Sequence, residues 1–436
     1  MGHLGYLKQE YRALVRRLDA NQVAYAEPED PTAWQGWKEI LEILYTPEEA
    51  ALAARLPVRP SSLAQLESRL GIPSTELQTR LGLMCEKGVV MDLVHPRTGE
   101  VRYLLSPPIV GFIEFSMMRA HDSIPKKRMA EALDAYTRGD AAFAREAFGG
   151  ETVIGRAVVH ESAVAAEVPE VLDWERASAI IADASLRGVS LCFCRHKAEH
   201  LGKRCDTPIE NCLSLNGGAE HAIRRGFARA VECSEALEIL KRARERGLVQ
   251  LADNVMKKPA YICNCCGCCC EQLAAINRYG LAAVTPSGFI PARDDTACKG
   301  CSKCARACPI AAVTMIPRRV DASAKNRLLP LVDEERCIGC GVCADTCRNH
   351  ALTMKRAAAR PSVPANAMER VVRMALERGH LAQLLFDEGA SRGAGFLGNI
   401  VGALARLGPV QKAAASDALK SRFVRYALGQ MRGAAR

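Results

Sequence analysis

Apolar residues near the start of the chain recur at helical spacing. Tyr11, Leu14, Val15 and Leu18 would fall on one face of a helix. Residues 1–44 are therefore predicted to form an N-terminal helical segment that packs through this face.

Residues 45–125 change from a helical to a strand-like pattern. Apolar positions at helical spacing come first, and alternating apolar and polar positions follow. The predicted elements are helices at Pro47–Leu56, Ser62–Leu70 and Ser74–Lys87, then strands at Val89–Val94 and Glu100–Leu105 joined by a turn at Arg97-Thr98-Gly99. Three helices followed by a hairpin resemble a winged helix.

The third of these helices would have to read DNA in a winged helix. Its charged residues are Glu76, Arg80, Glu86 and Lys87, and they sum to zero. A helix that contacts DNA should instead present a basic face to phosphates. We therefore do not expect nucleic acid as a partner and favour protein docking or a structural role.

The rest of the chain divides by composition. Residues 126–190 are predicted to be a helical connector, in which His160 and Glu161 should lie on the surface. Residues 191–290 form a cysteine-rich α/β region, residues 291–356 hold a second set of cysteines, and residues 357–436 form a helical, basic tail. The predicted fold class is α+β multidomain.

Cysteine is the outlier in the composition. The chain has 20 cysteines in 436 residues, and all except Cys85 lie between Cys192 and Cys347. Met1–Arg16 contains no apolar core of a secretion signal. The longest uncharged run of the tail, Gly393–Ala405, is shorter than the roughly 20 residues of a membrane-spanning helix. We therefore expect a cytoplasmic protein whose reduced thiolates bind metal instead of forming disulfides.

Two copies of one cysteine run stand out. The first is Cys298-x2-Cys301-x2-Cys304-x3-Cys308 followed by Pro309, and the second is Cys337-x2-Cys340-x2-Cys343-x3-Cys347. This pattern resembles bacterial two-[4Fe–4S] ferredoxins, in which the fourth cysteine of each run ligates the other cluster. The resemblance implies one cluster on Cys298, Cys301, Cys304 and Cys347, and another on Cys337, Cys340, Cys343 and Cys308.

The second run departs from the ferredoxin pattern after its last cysteine. Arg348 stands where the first run has Pro309. Arginine supplies a backbone N–H and a positive charge, which proline lacks. Since hydrogen bonds and charge near the sulfurs set reduction potential, the cluster on Cys347 is expected to have the higher potential.

A second cysteine field precedes the two runs. Its members are Cys192, Cys194, Cys205, Cys212, Cys263, Cys265, Cys266, Cys268, Cys269 and Cys270. A single buried cysteine is usually a small apolar residue, but six in eight residues are not. These residues are predicted to hold a further iron–sulfur cluster. Zinc and a redox-active dithiol are alternatives, and the ten thiols cannot be divided between sites. Cys85 and Cys233 are predicted to be structural.

A longer stretch, roughly residues 45–355, resembles cytoplasmic ferredoxin-like proteins of anaerobic bacteria. The resemblance rests on Cys-Phe-Cys-Arg-His-Lys from Cys192, on Cys205–Cys212, on the helix Glu235–Gly247 and on Ile262–Cys270. It implies iron–sulfur cofactors and adds nothing about a substrate.

Two signals in the tail carry little weight. Gly393–Gly398 matches the G-x-G-x-x-G pattern of dinucleotide sites, but a helical stretch precedes it where that motif needs a strand. The basic residues from Lys412 to Arg436 would suit peripheral contact with a membrane surface, although a solvated helix face is the default.

The sequence favours an electron carrier, or an electron-transfer subunit of an oxidoreductase, over a self-contained enzyme. Its partners would be donor and acceptor redox proteins, and the formal net charge of +10 would attract acidic ones. The alternatives are a reductase subunit with a substrate-facing cluster within residues 192–270 and a redox-sensing winged-helix regulator.

Overall fold

The computed structural model describes residues 7–95, 98–166, 168, 171–317 and 328–381. The chain divides into two compact units. The first comprises the described residues of Met1–Ser116, His121–Thr152 and Ala367–Arg436, and the second comprises those of Met117–Ala120 and Val153–Asn366.

The first unit is mainly helical and has one small sheet. Its elements up to residue 152 are α1 (Gln9–Leu18), α2 (Pro31–Leu44), α3 (Pro47–Ala53), β1 (Ser61–Ser62), α4 (Leu63–Leu70), α5 (Ser74–Glu86), β2 (Val90–Val94), β3 (Val101–Leu105), α6 (Ile113–Phe115), α7 (Lys126–Gly139) and α8 (Ala142–Phe148). The four apolar residues predicted to share a face of α1 are all buried.

Local sequence explains the predicted helices and the hairpin of this unit. Ser62 caps α4 through a reciprocal pair of hydrogen bonds with Gln65, and Gly71 ends that helix in the left-handed conformation. Strand β3 pairs antiparallel with both β1 and β2. Residue 97 of the predicted turn lies outside the described residues. The winged-helix resemblance stays a prediction.

The second unit contains all of the predicted metal-binding cysteines. Its elements are β4 (Gly155–Val158), α9 (Ala177–Asp183), β5 (Arg187–Leu191), α10 (Phe193–His200), β6 (Glu210–Leu215), α11 (Asn216–Arg224), β7 (Arg229–Ala230), α12 (Cys233–Glu245), β8 (Val249–Asp253), β9 (Tyr261–Cys265), α13 (Glu271–Tyr279), β10 (Phe289–Arg293), α14 (Lys303–Ala307), β11 (Val313–Pro317), β12 (Leu328–Val332), α15 (Val342–Asp345) and β13 (Leu352–Arg356).

An antiparallel six-stranded sheet forms the core of this unit, with the strand order β4-β8-β9-β6-β5-β7. Val189, Leu213 and Ile262 are buried on central strands, together with Ile180 of α9 and Leu240 of α12. These apolar side chains hold the two helices against the sheet. The two central strands of the sheet, β6 and β9, carry the predicted ligands Cys212, Cys263 and Cys265.

Two short antiparallel ribbons flank the two cysteine runs in the chain. Strand β10 pairs with β13, and β11 pairs with β12. Each ribbon therefore joins a strand from the first copy of the run to a strand from the second. This exchange makes the two copies fold as one body.

The last described helix, α16 (Ala367–Glu377), belongs to the first unit. Glu377 accepts hydrogen bonds from the backbone and the hydroxyl of Thr152, at 2.9 and 2.6 Å. The glycine pattern Gly393–Gly398 and the basic residues from Lys412 lie outside the described residues. Among the helices that the structure describes, none is both long and apolar enough to span a bilayer.

Candidate metal centres

The two cysteine runs begin with the same backbone turn. Cys298 N donates to Asp294 O at 3.2 Å, and Cys337 N donates to Asp333 O at 2.9 Å. Each aspartate also accepts backbone N–H groups from the following turn with its carboxylate. The aspartates thus fix the approach of the chain to the first cysteine of each run.

The repetition continues through the helices of the two runs. Ser302 and Gly341 adopt left-handed conformations at the start of α14 and α15, which carry Cys304 and Cys343. Three residues after the fourth cysteine of each run, Ala311 and His350 are also left-handed, with φ of 53° and 50°. The two runs therefore share the same backbone conformation at equivalent positions.

The fourth cysteine of each run lies with the other run. Cys308 lines one cavity together with Cys337, Cys340 and Cys343. Cys347 packs in one apolar cluster with Cys298 and in another that contains Cys304, Cys308 and Cys343. The cavity contains the four cysteines that the ferredoxin resemblance implies for one cluster, and the assignment of ligands to both clusters stays a prediction.

Burial keeps the second-run thiols protonated in the absence of a cation. Burial raises the pKa of Cys340 to about 12 and also raises the pKa values of Cys337 and Cys343. A metal centre must therefore displace protons from this cavity as it binds. In the first run Cys301 is exposed, so that corner of the site faces solvent.

Gly339 shows why the run needs glycine between its cysteines. Its φ is 67°, and a Cβ at this position would lie 2.2 Å from Phe289 O and 2.4 Å from Ser287 Oγ. Ser287 Oγ also donates to Gly339 O at 2.6 Å. The backbone of the run is therefore pressed against β10 with no room for a side chain.

His160 corrects the expectation of a surface residue, because it is fully buried. Its backbone N donates to Cys340 O at 3.0 Å. Its ring nitrogens lie 3.0 Å from Asp345 Oδ2 and 2.9 Å from Leu248 O. Through these contacts His160 connects the second run to Leu248, the residue before β8. Its sequence context gave no signal of this role.

The ten upstream cysteines separate into two groups. Six of them form what we call the six-thiol ring, in which each thiol neighbours two others. Its members in ring order are Cys192, Cys194, Cys270, Cys265, Cys263 and Cys212. Cys212 and Cys263 face each other across β6 and β9, with their sulfurs 3.9 Å apart.

Alternate members of the six-thiol ring differ in acidity. Hydrogen bonds from two neighbouring thiols lower the pKa of Cys263 to about 6, and such bonds lower the pKa values of Cys192 and Cys270 well below the ordinary value. Burial raises the pKa of Cys194, and hydrogen bonding to neighbours raises those of Cys212 and Cys265. Six neighbouring thiols in a buried place suit a cationic metal centre, because a metal would compensate the charge of the thiolates that bind it.

The other four cysteines form what we call the four-thiol group: Cys205, Cys266, Cys268 and Cys269. Their sulfurs all lie within 4.8 Å of one another. Cys205 Sγ is 3.7 Å from Cys266 Sγ and 3.8 Å from Cys269 Sγ. Cys268 is exposed, and Cys269 is buried.

Arg195 lies between the two groups and is 1% exposed. Its charge acts on Cys192, Cys265 and Cys212 of the ring and on Cys266 of the four-thiol group. Its Nη2 donates to Asn264 O at 2.8 Å. Its Nε and Nη1 are buried and have no hydrogen-bond acceptor among the described residues. Buried donors of this kind call for an anionic acceptor, such as a metal-bound thiolate or sulfide.

A buried ion pair holds the helices that follow the ring cysteines. Lys197 Nζ of α10 lies 2.7 Å from Glu271 Oε1 of α13, and the two side chains are 2% and 4% exposed. On α10, His196 Nδ1 lies 2.7 Å from Met117 O and its Nε2 lies 3.1 Å from His200 Nε2. Both ring nitrogens of His196 thus face protein partners.

The upstream field touches the ferredoxin-like segment. A Cβ on Gly267 would lie 2.4 Å from Pro309 O, so this glycine allows the Cys266–Cys270 turn to approach the residue after Cys308. Asn277 Nδ2 also donates to Pro309 O at 3.0 Å, and Asn277 Oδ1 accepts from Arg336 Nη2 at 3.2 Å. The two cysteine regions are therefore neighbours in one unit.

The sequence singled out the cysteines but missed several residues around them. Arg195, Lys197, Glu271 and His160 are charged or titratable residues that the fold buries. The one available signal was the position of Arg195 and Lys197 beside a Cys-x-Cys pair. All twenty cysteines lie in the described part of the chain, and none forms a disulfide.

Comparison with known proteins agrees with the geometry of the two runs. Residues 297–351 match the family model of the 4Fe-4S dicluster domain. No curated protein and no solved structure gives a significant match to the chain. The family match indicates an iron–sulfur protein with a role in electron transfer.

Proposed function

We propose that the chain carries two [4Fe–4S] clusters in residues 297–351 and a further iron–sulfur cluster in the six-thiol ring. It would act as an electron carrier or as an electron-transfer subunit of a larger cytoplasmic oxidoreductase. When bound, such clusters accept and release single electrons. The observation that carries the proposal is the cavity that Cys308 shares with Cys337, Cys340 and Cys343.

The exposed corner at Cys301 supports exchange with a partner protein. Lys299, Lys303 and Arg306 surround this cysteine in sequence, and all three are exposed. Arg306 Nη2 also donates to Cys301 O at 3.3 Å. A basic surface beside an exposed ligand would steer an acidic redox protein to the site.

The six-thiol ring suits relay better than contact with a substrate. Each of its members is buried or half-buried, so a substrate would have little access to a metal in the ring. Gly267, two residues after the ring member Cys265, lies against Pro309, the residue that follows the last cysteine of the first run. We therefore favour an internal relay over the reductase alternative.

The charges of α5 and of Lys87, which follows it, do not favour the regulator alternative. Arg80 lies 3.3 Å from Glu76, and Lys87 lies 2.7 Å from Glu49. These basic groups are already neutralised by carboxylates of their own unit. We propose a docking or structural role for this part of the first unit, and no nucleic-acid partner.

Metal content and redox titration of anaerobically purified protein test the proposal. We expect about twelve irons and as many labile sulfides per chain, if each of three sites holds a four-iron cluster. Cys340→Ser should remove up to four irons, whereas Cys233→Ser, at a partly buried position at the start of α12, should remove none. Iron without labile sulfide, or an iron content unchanged by Cys340→Ser, would refute the proposal.

A further inference from the structure

The four-thiol group differs from the other cysteine sets in how close its sulfurs lie. We propose that Cys205, Cys266, Cys268 and Cys269 bind one zinc ion, in a structural site separate from the iron–sulfur clusters. The proposal does not depend on the electron-transfer function, because it rests on these four sulfurs and their surroundings.

The distances between the sulfurs match a single tetrahedral ion. Zinc–sulfur bonds of about 2.3 Å in a tetrahedron place neighbouring sulfurs about 3.8 Å apart. Cys205 Sγ lies 3.7 Å from Cys266 Sγ and 3.8 Å from Cys269 Sγ, and Cys268 Sγ lies 3.7 Å from Cys269 Sγ.

A four-iron cluster would need a more open arrangement, because iron and sulfide stand between its four thiolates. The two cysteine runs offer an internal comparison. Within the part of the chain that the structure describes, their eight cysteines form no group with all sulfurs inside 4.8 Å, whereas the four-thiol group does. The same chain thus contains two classes of cysteine site.

The four-thiol group joins two segments that are distant in the chain, as a structural metal site does. Cys266, Cys268 and Cys269 lie in the tight turn between β9 and α13, and Cys205 comes from the irregular loop between α10 and β6. An ion shared by these segments would close a loop of about sixty residues, which lowers the entropy of the unfolded chain.

Arg195 fits the charge of such a site. Zinc with four thiolates carries two net negative charges, which must be compensated where the site is partly buried. The Arg195 guanidinium acts on Cys266, and its Nε and Nη1 have no acceptor among the described residues. Both donors can serve a thiolate that is permanently deprotonated by a metal.

Zinc at this place would stabilise the contact between the cysteine regions without carrying electrons, since zinc has no redox chemistry. Gly267 lies inside the four-thiol turn and against Pro309 O. The ion would thereby fix the position of the upstream turn against the residue that follows Cys308.

Zinc and iron are measured together on the full chain, purified anaerobically from cells supplied with both metals. We expect about one zinc per chain in the wild type. Cys268→Ser should lose that zinc and keep its iron and sulfide. Cys194→Ser, in the six-thiol ring, should lose iron and keep zinc, and Cys233→Ser should keep both.

X-ray absorption at the zinc edge of the wild-type protein tests the site even where a variant fails to fold. Four sulfur neighbours at about 2.3 Å are expected. Nitrogen or oxygen ligands, no zinc, or an isolated ferric ion in its place would overturn the proposal, as would loss of about four irons with sulfide in Cys268→Ser. The cluster titration is a separate measurement, so failure here leaves the proposed function standing.

Discussion

The two cysteine regions of this protein build their sites in different ways. In the ferredoxin-like segment, each run holds its cysteines within one short stretch of chain, and Cys308 of the first run lines a cavity with three cysteines of the second. The upstream field draws on the start of α10, a loop, β6, β9 and the turn before α13.

The difference separates local from tertiary information. In the runs, the cysteine spacing within one loop already predicts a metal site, and the second copy of the run is predicted to supply the remaining cysteine ligand. In the upstream field, strand pairing places Cys212 opposite Cys263, although 50 other residues separate them in the chain. Regular spacing therefore predicts ligand sets in the first region, and only the sheet divides ten thiols into six and four in the second.

The largest expected effect comes from replacing the fourth cysteine of each run by serine. Cys308→Ser should remove the same redox and spectroscopic features as Cys340→Ser, because both thiols line one cavity. Cys347→Ser should match Cys301→Ser instead. Each change should remove between about one and four irons, since a cluster that loses a ligand sheds iron or is lost. Electron paramagnetic resonance and iron analysis provide the measurement.

If Cys308→Ser instead lost the same redox and spectroscopic features as Cys301→Ser, the exchange of the fourth cysteine between the runs would be contradicted. Each run would then hold a cluster by itself. Cys233→Ser serves as the control for a cysteine outside all the groups.

Adding a methyl group at two glycines compares the packing of the two regions. Gly339→Ala combines a left-handed φ with a Cβ 2.2 Å from Phe289 O, and we expect a loss of about 2–5 kcal/mol in unfolding free energy. Gly267→Ala meets Pro309 O at 2.4 Å without a left-handed φ and should cost about 1–3 kcal/mol. Chemical denaturation of the holo-protein measures both.

Gly280→Ala is the matched control for these glycines. Gly280 has a φ of 65°, but a Cβ there would meet nothing within 4 Å. It should cost only about 1–2 kcal/mol, from the left-handed conformation alone. Equal losses at Gly280 and Gly339 would show that the close approach to β10 does not matter.

Arg195→Met should lower the reduction potential of the centre in the six-thiol ring. Loss of a charge-assisted hydrogen bond worth about 1.5–3 kcal/mol corresponds to about 60–130 mV for one electron. The reduced, more negative state should suffer most, because Arg195 is buried and acts on Cys192, Cys265 and Cys212. Potentiometric titration followed by electron paramagnetic resonance measures the shift.

Arg195→Lys keeps the charge and should give a smaller shift. The potentials of the two runs should not move in either variant. A uniform shift of all potentials, or none, would contradict the placement of Arg195 at the upstream centre.

The smallest expected effect is that of Arg348→Pro on the cluster that includes Cys347. Arg348 is exposed, so solvent screens its charge. A contribution of about 0.2–1 kcal/mol corresponds to about 10–40 mV. The potential should fall, because the change removes a positive charge and an N–H donor. Arg348→Gln keeps the N–H and separates the two causes, and an unchanged titration curve in Arg348→Pro would refute the hypothesis.

The sequence by itself determined the chemistry of this protein and part of its fold. Two runs of regular spacing were enough to predict an iron–sulfur segment, and the family match at residues 297–351 confirms that segment. The apolar face of α1 and the capping residue Ser62 also predicted helices that the structure contains. These features depend on residues close together in the chain, whose relative positions local backbone geometry fixes.

The tertiary structure alone decided which upstream thiols are neighbours and which charged residues face them. Arg195, Lys197, Glu271 and His160 have side chains that ordinarily stay in water, and only a packed fold can bury them beside compensating groups. The division into a six-thiol ring and a four-thiol group follows from strand register and from the turn into α13. Contacts of this kind join residues up to 185 positions apart in the chain, as His160 and Asp345 show, and cysteine spacing does not predict them.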